Sequence, residues 1–284
     1  MRVLITGGNG QLGVDLAAEH AAACDDVVAV GHADLDITDR DAVLGAVTSL
    51  RPHAVINCAA WTAVDACEAD PDRALAANGL AVRWLAEACH RVDAHLVQIS
   101  TDYVFDGTLD RAYHEWDATN PQSVYGSSKL AGEREALALG AGAAVVRTSW
   151  VCGANGANMV KTIMRLAQQQ PQLSFVDDQI GHPTFTTDLA AALRRVAVDR
   201  RSGVVHLTNQ TSTSWFGFAQ DVVEAMGRDR EMVQPIATAQ LQPPRPATRP
   251  ANSRLDNAVW RASGMPALRD YRDPLGEVVR ALMV

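Results

Sequence analysis

Tyr125 and Lys129, four positions apart in the stretch QSVYGSSK (residues 122–129), have the residue types and the spacing of a proton-transfer centre. A phenol can protonate a carbonyl oxygen if its pKa, about 10 in water, falls toward neutrality, and a neighbouring ammonium group favours that change. On a helix, positions i and i+4 share one face, so the two side chains can meet there. Such a pair also occurs by chance on many helices. Its meaning therefore depends on the surrounding sequence.

A glycine-rich loop near the start of the chain supplies part of that context. The segment TGGNGQLG places Gly7, Gly10 and Gly13 directly after a short apolar run and directly before a segment of helical character. Glycines at these positions allow a tight turn, close approach of the backbone to a pyrophosphate and close packing of a helix on a strand. The N-terminus of that helix attracts phosphates. The sequence therefore predicts a dinucleotide site, the alternative being a purely structural turn.

The end of the second predicted strand bears on which nicotinamide cofactor binds. An NAD-selective site usually has a carboxylate there, which hydrogen-bonds the ribose and repels a 2′-phosphate. This chain has Gly31 and His32 instead, and the nearest acids are Asp34 and Asp36. Because neither that carboxylate nor an adjacent arginine is present, both cofactors stay open. We favour NADPH slightly, with NADH as the alternative.

Apolar runs alternate with helical segments over the first 150 residues. A long helix is predicted from Pro71 to Arg91, and strands are predicted at 2–6, 25–31, 53–60, 94–100 and 142–150. Apolar strands separated by helices indicate a parallel sheet that is covered on both faces. We therefore predict an α/β, doubly wound, Rossmann-like dinucleotide-binding domain at residues 1–150. A smaller C-terminal α/β substrate-binding domain would occupy residues 151–284, with the helix and strand near 185–208 able to return to the first domain.

Composition limits the classes of function. The chain has 284 residues, 48% of them hydrophobic and 20% charged, which is typical of a globular protein. Its net charge of -8 argues against nucleic acid or an anionic membrane as the main partner. The opening apolar run is too short for a signal peptide, so we expect a cytoplasmic protein. Five cysteines without a CxxC pair, and histidines without an HExxH pair, give no sign of a metal site.

Two further segments could contribute to a site. The fourth predicted strand ends in ISTDYVFDG, where Ser100 and Thr101 both offer a hydroxyl at the edge of the sheet that binds ligands in such folds. Because side chains alternate along a strand, one of the two should face Tyr125, and the pattern does not say which. The segment 242–254 contains four prolines and three arginines and is predicted to be a shaped binding loop.

The glycine loop together with Tyr125 and Lys129 resembles the extended, sugar-nucleotide-modifying branch of the short-chain dehydrogenase/reductase superfamily. A finer resemblance is to the dTDP-4-dehydrorhamnose reductase family. It is carried by eight ordered motifs between residues 10 and 256: GQLG, CAAWTAVDACE, STDYVFDG, YGSSKLAGE, RTSWV, GHPTFTTDLA, SWFGFA and TRPANSRLD. Because these motifs cover nearly the whole chain, they are far more specific than the Tyr–Lys pair.

The resemblance implies roles by position, and it selects Thr101 over Ser100 as the hydroxyl that tunes the tyrosine. The implied catalytic residues are Tyr125, Lys129 and Thr101. The implied cofactor-binding residues are Gly7, Gly10, Gln11, Leu12, Gly13, Asp36, Ile37, Ala59, Ala60, Ile99, Tyr125 and Lys129. The implied substrate-binding residues are Thr101, Asp102, Trp150, Arg249, Asn252 and Arg254, the last three near the nucleotide diphosphate.

The resemblance also implies a reaction, the NAD(P)H-dependent reduction of the C4 ketone of dTDP-4-dehydro-L-rhamnose to dTDP-L-rhamnose. The alternatives are a 4-ketoreductase for another dTDP-deoxysugar and a non-catalytic, NADP-binding regulatory subunit. The intact set of Tyr125, Lys129 and Thr101 argues against a non-catalytic subunit.

Some relatives dimerise through Mg²⁺, and the matching positions here are Asp15, Thr187 and Asp188. Because a threonine replaces one carboxylate, a magnesium dimer is not assumed. We expect a monomer or a weak homodimer.

Overall fold

The computed structural model of the chain describes residues 1–283. The strands in this range are β1 (Arg2–Thr6), β2 (Asp26–Val30), β3 (Ala54–Asn57), β4 (His95–Thr101), β5 (Ala143–Thr148), β6 (Val151–Cys152), β7 (Leu173–Val176), β8 (Ile180–Gly181), β9 (Thr184–Phe185), β10 (Gly203–His206), β11 (Thr213–Ser214), β12 (Val233–Ile236) and β13 (Asn252–Ser253). The α-helices are α1 (Gln11–Ala22), α2 (Arg40–Leu50), α3 (Val64–Ala69), α4 (Pro71–Leu75), α5 (Ala81–Val92), α6 (Val124–Leu137), α7 (Met159–Gln169), α8 (Thr186–Val198), α9 (Trp215–Ala225), α10 (Ala258–Ala262) and α11 (Arg272–Met283).

The central sheet consists of six parallel strands in the order β2–β1–β3–β4–β5–β10. Successive residues of β1 point to opposite faces: Val3 and Ile5 pack in one core and Leu4 in another. Helices α1 and α8 cover the first face, and α2 and α5 cover the second. Both faces are therefore buried, as the apolar strands require. This arrangement confirms the predicted doubly wound, Rossmann-like class.

The connections out of the sheet create a crevice. The chain leaves β1 for α1 on one face, whereas β2 leads to α2 on the other. In doubly wound sheets, ligands bind beyond the carboxyl ends of the strands where the strand order reverses, which is between β1 and β3 for this order. The glycine loop follows β1, and residues 58–60 follow β3. The fold therefore brings these two segments to the same edge.

The predicted long helix after Pro71 contains an interruption. Residues Ala76–Leu80 between α4 and α5 form a π-helical segment. Such segments are rare, and they often lie at functional sites. Ala76 and Ala77 of this segment border the crevice.

Beyond residue 150 the chain contributes to two places. Helix α8 packs on α1 and strand β10 extends the central sheet. A separate core lies between α7, α9 and α11, with Ile163, Phe218 and Tyr271 fully buried there. Within residues 1–283, no helix is both long enough and apolar enough to cross a bilayer.

Candidate active site

One groove runs along the carboxyl edge of the central sheet. It consists of two cavities of about 570 and 560 Å³ that share the lining residues Gly7, Gly10, Cys58 and Ala60. The first cavity extends toward β4, α6 and Trp150. The second extends along the end of β2 toward α4. The groove is therefore long enough to hold an extended ligand at the edge where such sheets bind dinucleotides.

The glycine loop forms one wall of the groove, and its shape fits a pyrophosphate. Gly7 has a φ of 68°, in the left-handed region that favours glycine. A Cβ atom on Gly13 would lie 2.3 Å from the Gly7 carbonyl oxygen, so only glycine allows this packing of α1 on the loop. Gly10 precedes α1 without a side-chain cap. The first N–H groups of α1 are therefore left to face an anion.

The second cavity contains four of the residues that the family resemblance assigns to the cofactor. Asp36, Ile37, Ala59 and Ala60 line it. Asp36 is held in a turn because its Oδ1 accepts hydrogen bonds from the Thr38 N–H (2.9 Å) and hydroxyl (2.8 Å). The orientation of the Asp36 carboxylate is thus fixed by Thr38, two residues later in the chain.

The end of β2 carries no side chain at Gly31, and the Asn9 amide lies beside it. A Cβ atom on Gly31 would lie 2.2 Å from Nδ2 of Asn9, so a larger residue there would require the Asn9 side chain to move. Arg73 also lines this cavity, with its guanidinium 4.5 Å from the ring centroid of Trp61. Arg73 was not singled out from the sequence, because its position on α4 becomes significant only after α4 folds against the crevice.

The predicted catalytic residues meet in the first cavity. Thr101 ends β4, and α6 begins at Val124 behind Ser123, whose hydroxyl accepts a hydrogen bond from the Gly126 N–H (3.1 Å). This capped start places Tyr125 and Lys129 one turn apart on the face of α6 that borders the cavity. Ile99 and the loop residues Gln11, Leu12 and Gly13 line the same space.

Thr101 and Ser100 point in different directions. The Thr101 hydroxyl donates to Oδ1 of Asp102 (2.9 Å) and accepts from the Tyr103 N–H (3.2 Å) on the cavity side. The Ser100 hydroxyl donates instead to Oε1 of Glu133 (2.5 Å) in the interior. Strand alternation thus separates the two hydroxyls, and the choice that the residue pattern left open depends on this geometry.

Burial dominates the electrostatics of this end of the groove. It raises the pKa of the Tyr125 phenol, the Asp102 carboxylate adds to the increase, and Thr101 opposes it. Burial also raises the pKa of Asp102 to about 6, and Oδ2 of Asp102 is buried without a hydrogen-bond partner in residues 1–283. Burial also lowers the pKa of the Lys129 ammonium to about 8. The Lys129 ammonium donates to the Ile99 carbonyl oxygen at 2.6 Å.

Two tryptophans close the far end of the first cavity. Trp150 follows β5 with a φ of 46°, and its ring stacks on Trp215 with centroids 3.7 Å apart and planes at 9°. The Trp150 ring also lies close to Gly181, where a Cβ atom would lie 2.6 Å from Cε2 of Trp150. Trp215 was not named as a site residue, although the motif SWFGFA that contains it carried part of the resemblance.

The three residues expected near the diphosphate do not line either cavity. Arg249 forms a two-bond ion pair with Asp65 of α3 (2.5 and 2.7 Å). Both amide hydrogens of Asn252 are donated to the backbone, to the carbonyl oxygens of Leu109 and Arg111 (2.8 and 2.7 Å).

Arg254 is likewise held within the protein. Its guanidinium donates to Oδ1 of Asn252 (2.8 Å) and to the Asp110 carbonyl oxygen (2.6 Å). The structure therefore shows Asn252 as a brace for two loops, and Arg249 as a link between the proline-rich loop and α3.

The positions expected for a magnesium dimer are engaged otherwise. Oδ1 of Asp15 accepts from the Asn155 amide (2.9 Å), Asp188 pairs with Arg269 (2.8 Å), and Thr187 is exposed. Across residues 1–283, no three His, Cys, Asp or Glu side chains are grouped to hold a metal ion.

Comparison with known proteins places the chain in a family. Residues 1–284 match the family model described as the RmlD substrate binding domain. The chain is 44% identical over 287 residues to a dTDP-4-dehydrorhamnose reductase of Streptomyces griseus, with 99% of this chain and 94% of the relative covered. A Streptomyces antibioticus relative, named a probable dTDP-4,6-dihydroxy-2-methyloxan-3-one 4-ketoreductase, is 42% identical, with 98% and 94% covered.

Among solved structures, the fold matches a Bacillus anthracis dTDP-4-dehydrorhamnose reductase in complex with NADP. The TM-score is 0.94 at 36% identity, and 99% of each chain is covered. These matches confirm the resemblance drawn from the eight motifs. The chain therefore belongs to the family described as the RmlD substrate binding domain, and it is an NADP-dependent oxidoreductase.

Proposed function

We propose that the protein reduces the C4 ketone of dTDP-4-dehydro-L-rhamnose to dTDP-L-rhamnose with NADPH. The observation that carries this proposal is the meeting of Tyr125, Lys129 and Thr101 in one cavity, at the end of a groove whose glycine wall fits a pyrophosphate. NADPH, when bound, supplies the hydride. The glycine loop and the first turn of α1 would hold its pyrophosphate, and Asp36 and Ile37 its adenosine.

Tyr125 is the proton donor in this proposal. Burial raises the pKa of the phenol, contrary to the fall toward neutrality that the sequence led us to expect, so Tyr125 is protonated at neutral pH and depends on nearby positive charge to release its proton. The hydroxyl gives its proton to the substrate oxygen as negative charge develops there. The buried Lys129 ammonium stabilises the phenolate that forms, and Thr101 orients the phenol. This is acid and electrostatic catalysis without a covalent intermediate.

The sugar would lie between β4 and the tryptophan pair. Asp102 and Thr101 offer polar atoms on one side, and Trp150 offers an apolar ring face on the other. Arg249 is half-buried in the loop that crosses to α3, so we propose that it supports the diphosphate end. We also propose that residues 151–284 act mainly as the substrate domain.

Replacement of Tyr125 by Phe tests the proposed role. The variant removes only the hydroxyl and leaves the glycine loop intact, so we expect NADPH still to bind while turnover falls by a factor of about 10² to 10⁴. NADPH binding is measured by fluorescence, and turnover by NADPH oxidation with the dTDP-4-keto sugar. Tyr113→Phe is the control, because Tyr113 is buried outside the groove. Near-wild-type turnover of Tyr125→Phe would refute the role of proton donor.

A second candidate, a 4-ketoreductase for another dTDP-deoxysugar, is favoured by the Streptomyces antibioticus relative. Both candidates use the same groove and the same proton donor. A panel of dTDP-4-keto sugars, with NADPH and NADH in turn, separates them when each product is identified. The sugar with the highest kcat/KM decides between the candidates, and the ratio for the two cofactors decides the preference.

A further inference from the structure

The Lys129 ammonium occupies a costly position. The side chain is only 4% exposed, and within residues 1–283 its hydrogen bond is to the Ile99 carbonyl oxygen. A buried charge needs a partner of opposite charge, or it loses its proton. A neutral lysine could not stabilise a phenolate beside it. The site therefore needs a source of negative charge close to Lys129.

Glu133 lies one helical turn after Lys129 on α6 and is 1% exposed. Its carboxylate is held at both oxygens. Oε1 accepts from the Ser100 hydroxyl (2.5 Å) and from Nε of Arg147 (2.9 Å), and Oε2 accepts from Nη2 of Arg147 (2.7 Å). Charge-assisted bonds of this two-point form keep a carboxylate ionised and fixed in orientation. The proposed catalysis described above assigns Glu133 no task.

We propose that Glu133 is the positioning residue that keeps the Lys129 ammonium charged, and that Ser100 and Arg147 act by fixing the Glu133 carboxylate. The inference rests on the proposed role of Lys129. It also assigns a role to Ser100. The Thr101 hydroxyl lies on the cavity side, whereas the Ser100 hydroxyl donates to the Glu133 carboxylate in the interior. One strand end thus supports both members of the helical pair.

The other groups around Lys129 do not replace Glu133. From the loop after β3 it faces the Cys58 thiol, and burial raises the pKa of that thiol to about 12, so it carries no charge at neutral pH. From β4 it contacts the neutral Ile99 carbonyl oxygen, and one turn earlier on α6 stands Tyr125, whose phenol is neutral at neutral pH and lines the same cavity. Burial lowers the pKa of Lys129, and the Glu133 carboxylate is the largest influence that raises it. Arg147, on β5, carries a positive charge that opposes Glu133, but its guanidinium lies beyond the carboxylate that it pairs with, at 2.7 Å between Nη2 and Oε2.

The composition allows a direct test, because Lys129 and Lys161 are the only lysines in the sequence. Protein labelled with ¹³C at lysine Cε gives two resonances, and Lys161→Arg assigns them. A pH titration then reads the Lys129 pKa in the cofactor-free protein. For Glu133→Gln we expect that pKa to fall by about 1 or more, a tenfold change in the protonation constant. The alkaline limit of kcat/KM should move to lower pH with it.

The matched control is Glu135→Gln, the same chemical change on the same helix at a partly exposed position. It should leave the Lys129 pKa unchanged. An unchanged Lys129 pKa in Glu133→Gln would overturn the inference, since a carboxylate that only neutralised Arg147 would have no effect on the lysine.

Glu133→Gln leaves the buried Arg147 charge without its partner and could fail to fold. The double variant Glu133→Gln with Arg147→Met removes both charges of this pair, so no unpaired guanidinium is left. We expect the Lys129 pKa to fall here too, by less than in the single variant because the opposing Arg147 charge is also gone, and a wild-type value would again overturn the inference. The titration needs no substrate. A lowered pKa with no turnover of any keto sugar by the wild type would therefore refute the proposed function and leave the Glu133–Lys129 coupling standing.

Discussion

Replacement of Lys129 by Met should stabilise the fold at neutral pH while it removes the proposed activity. Burial lowers the pKa of Lys129 from 10.5 to about 8, which means that the folded protein disfavours the ammonium relative to the unfolded chain. This difference corresponds to roughly 3 kcal/mol of free energy of unfolding, at about 1.4 kcal/mol per tenfold change in the protonation constant. Loss of the hydrogen bond to the Ile99 carbonyl oxygen lowers the free energy of unfolding of the variant by about 1 kcal/mol.

The expected net gain is therefore about 2 kcal/mol, or roughly 3 °C in Tm for a chain of this size. Met is suited to the position because its unbranched, flexible side chain fills the space of the lysine stem. Glu133 keeps its bonds to Arg147 and Ser100 in the variant, so its buried carboxylate still has a charged partner and a hydrogen-bond donor.

The gain should depend on pH in a defined sense. Below pH 8, Lys129 is protonated in both the folded and the unfolded protein, and the cost of burying its charge is fully present. Between pH 8 and 10.5 the unfolded chain binds more protons, so wild-type stability from this group rises with pH. Above 10.5 the lysine is neutral in both states. The advantage of the variant should thus be largest at pH 7 and shrink by pH 9.5.

Urea unfolding of wild type and variant at pH 7 and pH 9.5 measures this difference. Lys161→Met is the matched control, because it removes the second lysine of the sequence, which stands on α7 and lines neither cavity of the groove. We expect no comparable gain there. If Lys129→Met were less stable than wild type at pH 7, or if its advantage did not decline at pH 9.5, the assignment of a costly buried ammonium would be refuted.

Two further changes probe the walls of the groove. Gly13→Ala places a Cβ atom 2.3 Å from the Gly7 carbonyl oxygen, so we expect the Kd of NADPH to rise more than tenfold in a fluorescence titration. Gly45→Ala on α2 is the control, because nothing lies within 4 Å of a Cβ atom there. Unchanged binding by Gly13→Ala would contradict the role of the glycine loop in holding the pyrophosphate. Trp215→Leu removes the partner of the Trp150 ring, which should raise the KM for the sugar nucleotide by about tenfold at unchanged NADPH affinity. Trp116→Leu, at an exposed tryptophan outside both cavities, should leave KM as it is; equal effects of the two changes would count against the stack.

Much of the fold was predictable from local pattern. The alternation of apolar strands and helices predicted the doubly wound sheet, because buried parallel strands and crossover helices each leave a periodic signal along the chain. The glycine loop and the Tyr125–Lys129 spacing were readable for the same reason, since each lies within one loop or one helical turn. The π-helical segment Ala76–Leu80 left no such signal, and the helix around it was predicted to be continuous.

The sequence by itself determined which elements form and which residue types stand at their ends, because these depend on neighbours a few positions apart. Only the tertiary structure decided which side chains meet. Glu133 reaches Arg147 across a helix and a strand, Arg249 is turned to Asp65 rather than to the cavity, and Trp150 stacks on Trp215. Each of these contacts joins separate elements, and its geometry follows from how helices and loops pack on the sheet. Spacing along the chain carries no record of that packing.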